Sequence, residues 1–197
     1  YDKTFNCDAS QENVFEEVSE FVQSAIDGKR VCVFAYGITG SGKTYTMGSS
    51  NKTLGFDDEV GMIPRVVHSI FERINASSAE ASGDGATPEF LVRTSFIEIY
   101  NEELKDLLHP ATSPKDITVR EDGDGSIILA GVKEQVVSSY EDTMRCIESG
   151  CAARTTATTG MNDQSSLSHA IFTLTYERLA IPTHKREGDT SAPPAEF

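Results

Sequence analysis

The sequence predicts an α/β fold, a central and mostly β-sheet with helices on both faces. Three observations predict it. Val31 to Tyr36 is a short apolar run with β-branched and aromatic residues, the pattern of a buried parallel strand, and a glycine-rich turn follows it. Val14, Phe15, Val18, Phe21, Val22, Ala25 and Ile26 recur at helical spacing just before that run. Phe90 to Tyr100 is a second, longer apolar run that reads as a core strand.

Taken in order, Tyr1 to Phe5 alternates loosely, as a strand would, and Ser10 is placed to cap the first helix, with Gly28 where a C-terminal cap belongs. A further helix should begin at Lys43. Gly48 to Gly61 is polar and reads as a surface loop interrupting that helix, and Pro64 suits the first turn where it resumes. Val67, Ile70, Phe71 and Ile74 supply its buried face. Asn75 to Pro88, rich in Ala, Ser, Gly and Asp, reads as a flexible loop. Asn101 to Leu108 (NEELKDLL) reads as a short helix ending near Pro110. Ile117 to Arg120 and Ile127 to Val137 read as smaller strands on either side of the turn at Asp122 to Gly125. Ser139 and Asp142 form a capping-box pattern ahead of a helix carrying Tyr140, Met144, Ile147 and Cys151. Thr155 to Ser168 reads as a polar loop and Ala170 to Tyr176 as a strand. Ala180 to Phe197, with three prolines and no periodicity, reads as a disordered tail.

The residues following the first strand carry chemistry. Gly37, four residues, then Gly42, Lys43 and Thr44 is the P-loop pattern, in its expected context between strand and helix. Gly37, Gly40 and Gly42 allow backbone conformations closed to bulkier residues, so that consecutive N–H groups of Ile38, Thr39, Gly40, Ser41 and their neighbours can converge on an anion. Lys43 brings a cation to the β- and γ-phosphates of a nucleotide, and the Thr44 hydroxyl is a ligand for Mg²⁺. A plain Gly-rich turn has no need of Lys-Thr after its last glycine.

Bulk properties bound the partners. The 197 residues suffice for one domain with a core. With 17 Lys plus Arg against 31 Asp plus Glu, the formal net charge is −14. That speaks against sequence-independent nucleic-acid binding and against anionic membranes, and an acidic protein partner would have to meet a local basic patch. Cys7, Cys32, Cys146 and Cys151 form no CxxC pair, and the histidines are scattered, which speaks against a metal site of those ligands. Cys32, in the expected core strand, reads as a small buried hydrophobe. The cysteine usage fits a reducing, intracellular setting, in which the patterns at Asn51 and Asn75 are not glycosylation sites. No 18-residue apolar run and no signal peptide stand in the sequence. Tyr1 in place of Met suggests a piece of a longer chain.

A second stretch, NDQSSLSH from Asn162 to His169, carries two adjacent serine hydroxyls. Folded over a nucleotide they could coordinate Mg²⁺ or position a water. By itself the stretch reads as an ordinary Ser-rich loop.

Taken together, FAYGITGSGKTYTM, SFIEIYNEELKDLL and MNDQSSLSHAIFTL resemble the kinesin motor domain in order and spacing, over about Tyr1 to Glu177. An unrelated P-loop protein would need the two later motifs by coincidence. The REDGDGSIILAGVKE segment is similar to the chromokinesin-like branch. The resemblance implies an incomplete motor domain over residues 1–179 with a divergent tail over 180–197. It implies that Gly37, Ile38, Thr39, Gly40, Ser41, Gly42, Lys43 and Thr44 cradle the phosphates of ATP, and that Tyr45 stacks on the adenine. It puts Asn162 to His169 on switch I, with Ser166 contacting Mg²⁺ and the γ-phosphate, and Ser165 and Asn162 holding the attacking water or phosphate. It puts NEELKDLL beside a region on the microtubule side. The implied activity is ATP hydrolysis coupled to microtubule-based movement, in the cytoplasm on the cytoskeleton, with neck, coiled-coil and tail segments lying elsewhere in the parent protein.

The sequence departs from the family at four points. Ile38 replaces a usual Gln, where the phosphate contacts come from the backbone. Leu167 replaces the Arg of NxxSSRSH, which pairs with a switch II Glu; Leu offers neither charge nor donor. The switch II motif DLAGSE does not follow Tyr176, and Leu179-Ala180 lacks its flanking residues. The adenine-flanking Arg-x-Arg-Pro motif would precede Tyr1. A hydrolysis-deficient nucleotide-binding or scaffold protein, or a truncated product, is the alternative these departures raise.

Overall fold

The computed structural model describes residues 1–48, 57–80, 89–123, 125–156 and 167–179. Among the described residues four α-helices, α1 (Gln11–Ile26), α2 (Lys43–Met47), α3 (Met62–Glu80) and α4 (Tyr140–Thr156), accompany six strands. The strands are β1 (Glu89–Tyr100), β2 (Glu103–Asp106), β3 (Thr118–Glu121), β4 (Ile127–Ala130), β5 (Gln135–Val137) and β6 (His169–Leu179). The result is a mixed α/β fold, a sheet flanked by helices.

Strand β1 is the axis of the main sheet. Along one edge it pairs antiparallel with β6, from Glu89 opposite Leu179 to Ile99 opposite His169. Along the other it pairs with β5 over Val92 to Thr94 and with β2 over Ile97 to Tyr100. Thr94, Ser95, Phe96, Ile97 and Glu98 are all buried, so both faces of the sheet are covered at this point. On one face Val67 and Phe71 of α3 and Met144 and Ile147 of α4 pack with Val92 and Val137, joined by Phe172, Leu174 and Tyr176 of β6. Gly150 lets α4 approach β1 closely, because a Cβ there would strike the Phe96 ring. β3 and β4 form a separate hairpin.

Local chemistry accounts for the helices. Ser10 caps α1: its Oγ accepts from the Asn13 N–H at 3.1 Å, while Asn13 Oδ1 accepts from the Ser10 N–H at 3.2 Å. Gly28 follows with φ of 90°, the left-handed conformation that suits glycine after a helix. Most of the expected stripe of α1 is at least half-buried, and α1 packs on α3, but Phe21 is exposed. At α4, Ser139 Oγ accepts from the Asp142 N–H at 3.1 Å, and Asp142 returns a bond to the N–H of Ser138, one residue before the expected partner.

The structure corrects several expectations. Neither Tyr1 to Phe5 nor Val31 to Tyr36 is a strand; in the latter Phe34 and Tyr36 are 80% and 93% exposed, and Cys32 is exposed rather than buried. A core strand needs a ladder on its edges and cover on its faces. Among the described residues nothing pairs with this segment, and β6 has no partner on the edge away from β1. The strand pairings described are antiparallel, not parallel. NEELKDLL is not a helix. Asn101 and Glu102 take φ of 50° and 64° and make a two-residue hairpin turn, after which Glu103–Asp106 returns as β2. Pairing with β1 and burial of Asp106 and Leu107 override the helical propensity of Glu, Leu and Lys. The loop expected from Asn75 begins later, since α3 continues to Glu80. Residues 49–56, 81–88 and 157–166 of the expected loops, and the tail 180–197, lie outside the described residues.

Candidate functional site

The glycine-rich loop is built as its sequence requires. Gly40 and Gly42 take φ of 80° and 91°, conformations costly for residues with a Cβ. Ser41 N–H donates to Ile38 O at 3.2 Å and closes the turn, and a Cβ at Gly37 would lie 2.6 Å from Ser41 Oγ. Gly42 is the N-cap of α2, and the first helical bond runs from Thr46 N–H to Gly42 O at 2.9 Å. The N–H groups of Lys43 and Thr44 therefore stand in the first helical turn, where donors have no intrahelical acceptor.

Lys43 folds back over the loop. Its Nζ donates to Gly37 O and to Ile38 O, each at 2.8 Å. The ammonium is thus stationed at the loop that would receive phosphate. Thr44 and Tyr45 are exposed, Tyr45 at 60%. Unpaired helix-start amides, one cation and an accessible hydroxyl suit a polyphosphate with a divalent cation.

The far end of α2 is held by residues that sequence reasoning did not single out. Gln11, buried at the start of α1, donates from Nε2 to Tyr45 O at 2.8 Å. Gly48 caps α2 in a left-handed conformation, and a Cβ on it would lie 2.8 Å from the backbone N and Cα of Gly61. That close approach fixes the end of α2 against the start of α3. Gln11 lies 34 residues from Tyr45, and no local pattern links them.

Of the second constellation, Asn162, Ser165 and Ser166 lie outside the described residues. Leu167, Ser168 and His169 are described, and Leu167 is 65% exposed. Ser168 Oγ donates to Glu98 Oε1 at 2.6 Å and accepts from Arg154 Nη2 at 2.9 Å, and the same nitrogen donates to Ser168 O at 3.2 Å. Glu98 and Arg154 were not marked by the sequence: one sits in a run that reads as apolar, the other near the end of a helix.

Fold and loop together define the class as a mixed α/β protein with a P-loop-type glycine-rich turn before a helix. The family model of the kinesin motor domain matches residues 1–192, and the chain belongs to that family. It is 40% identical over 182 residues to the kinesin-like protein KIF21B of Mus musculus, covering 88% of this chain and 11% of that protein. It is 42% identical over 175 residues to the kinesin-like protein KIF27 of Rattus norvegicus, covering 88% and 12%. A solved structure of a fast kinesin, described for its ATPase mechanism and interactions with microtubules, superposes with a TM-score of 0.78 at 35% identity. It covers 89% of this chain and 47% of that one. The chain thus spans about an eighth of the length of these curated relatives and about half of the solved motor.

Proposed function

We propose that this chain is the ATP-binding part of a microtubule motor domain, which in the parent protein couples ATP hydrolysis to movement along microtubules. The observation that carries the reading is the loop from Gly37 to Thr44, with left-handed Gly40 and Gly42 and Lys43 Nζ folded onto it. In this reading the amides of Gly37 to Thr44 hold the phosphates, Lys43 offsets their charge, and Tyr45 offers its exposed ring to the adenine. Thr44 and Ser166 hold Mg²⁺, while Ser165 and Asn162 position the attacking water. The ion, once bound, screens phosphate charge; the chain itself binds, orients and admits water. The partner is the microtubule, and the setting the cytoplasm and cytoskeleton. The net charge of −14 makes nucleic acid and anionic membrane poor partners.

Calorimetric titration of the full-length protein with Mg-ATP tests the reading, beside Lys43→Ala. Binding that the variant weakens by at least about tenfold is expected, the loss of a charge-assisted contact. Equal affinity in both proteins would remove the loop from the site.

Leu167 favours a second reading, a motor-like protein that binds nucleotide but hydrolyses it poorly. The side chain is exposed, so Arg can be accommodated without repacking. Leu167→Arg should raise microtubule-stimulated ATPase in the full-length protein and leave Mg-ATP affinity little changed. An unaltered rate would leave Leu167 without a part in hydrolysis.

A further inference from the structure

We infer that Gln11 is a positioning residue for the nucleotide base, acting through Tyr45. The inference rests on the ATP-binding reading above and concerns which residue sets the base side of that site.

Helix α2 is five residues long and carries both halves of the candidate site. Lys43, at its start, bonds back to the glycine-rich loop, and the exposed Thr44 follows it. Tyr45, one residue on, would meet the base. So short a helix has little stability of its own, so its orientation is imposed from outside. At its start the Lys43 side chain binds the loop carbonyls of Gly37 and Ile38. At its end the Tyr45 carbonyl accepts two donors, the Gly48 N–H at 3.2 Å and Gln11 Nε2 at 2.8 Å. The first belongs to the same turn and moves with it. The second comes from α1, and α1 is anchored independently by its Ser10–Asn13 cap and its packing on α3.

Burial separates the two residues. Gln11 is withdrawn from solvent, with 7% of the residue exposed, while Tyr45 is 60% exposed. A buried amide aimed at one carbonyl fixes a backbone position, and water cannot substitute for it cheaply. The exposed Tyr45 side chain then starts from a Cα whose position is set. The bond therefore acts on the Tyr45 end of α2, whereas the phosphate end is held by the loop's own glycines and by Lys43. Gln11 should govern affinity for the base and leave the triphosphate contacts alone.

The test is a double-variant cycle on Mg-ATP affinity in the full-length protein, with Gln11→Glu and Tyr45→Ala. A carboxylate at the first position of α1 suits the helix start, keeps the length of Gln and removes the donor. Gln11→Glu alone should weaken Mg-ATP about five- to tenfold. On the Tyr45→Ala background it should cost nothing further. Mg-tripolyphosphate, which has no base, should bind Gln11→Glu as it binds the parent protein. Gln11→Met, uncharged and of similar length, serves in its place if the carboxylate unfolds α1. Equal losses on both backgrounds, equal losses for ATP and tripolyphosphate, or no loss would each overturn the inference. A Lys43→Ala variant that binds Mg-ATP normally would instead overturn the ATP-binding reading, which separates the two failures.

Discussion

Arg154 of α4 donates from Nε to Oε1 of Glu98 in β1 at 3.2 Å, and the Glu98 side chain is 1% exposed. Ser168, just before β6, bonds to both. Three elements distant in sequence therefore meet on one buried carboxylate, immediately after the segment that carries Asn162, Ser165 and Ser166.

Removing one partner of a buried charge costs more than removing both. Arg154→Met leaves the Glu98 carboxylate in the interior without its guanidinium and should lower stability by about 3–5 kcal/mol. The pair Glu98→Leu with Arg154→Met should recover a large part of that loss, since no charge then remains uncompensated. Urea unfolding of the two singles and the double checks this; additive losses would show that the residues do not act on each other.

The hairpin between β1 and β2 stores a smaller cost. Glu102 holds φ of 64° at an exposed position, a conformation about 1–2 kcal/mol unfavourable for a residue with a Cβ. Glycine removes that term and loses about 0.5–1 kcal/mol to its freer unfolded chain. Glu102→Gly should thus raise stability by about 0.5–1 kcal/mol, read as an increase in the urea midpoint. Glu102→Val, β-branched at the same φ, should lower it.

Asp142 makes stability depend on pH at the start of α4. Its carboxyl is held below the ordinary 3.8 by the Arg145 guanidinium first and by the Ser138 N–H next, with partial desolvation opposing them. A folded value below the unfolded one means that the contribution is present above about pH 4 and fades as pH falls through the folded value. Asp142→Asn should therefore be less stable than the parent protein at pH 7, with the difference narrowing below pH 4. The effect is that of an exposed pair and should shrink in high salt. Melting curves from pH 7 to pH 3 check the sign; a gap that widens on acidification would contradict it.

The division between what was legible in the chain and what was not follows the range of the forces. Helix α1 announces itself through Ser10, its stripe and Gly28, because capping and amphipathic spacing act within a few residues. The core strand β1, the helix α4 and the loop from Gly37 to Thr44 were legible for the same reason, and the loop's left-handed glycines follow from residue type alone. Glu103–Asp106 has the composition of a helix and Val31 to Tyr36 that of a strand, yet neither becomes one. A strand exists only with a partner: β1 supplies one to the first, and no described residue supplies one to the second. The side-chain contacts that tie these elements together likewise join residues far apart in sequence, Gln11 with Tyr45 and Glu98 with Arg154 and Ser168. The amino-acid sequence by itself determined the elements that local chemistry can close and the left-handed glycines of the loop from Gly37 to Thr44. Tertiary structure alone decided which strands pair and which buried side chains hold the loop and its helix in place, because those energies exist only once distant segments have met.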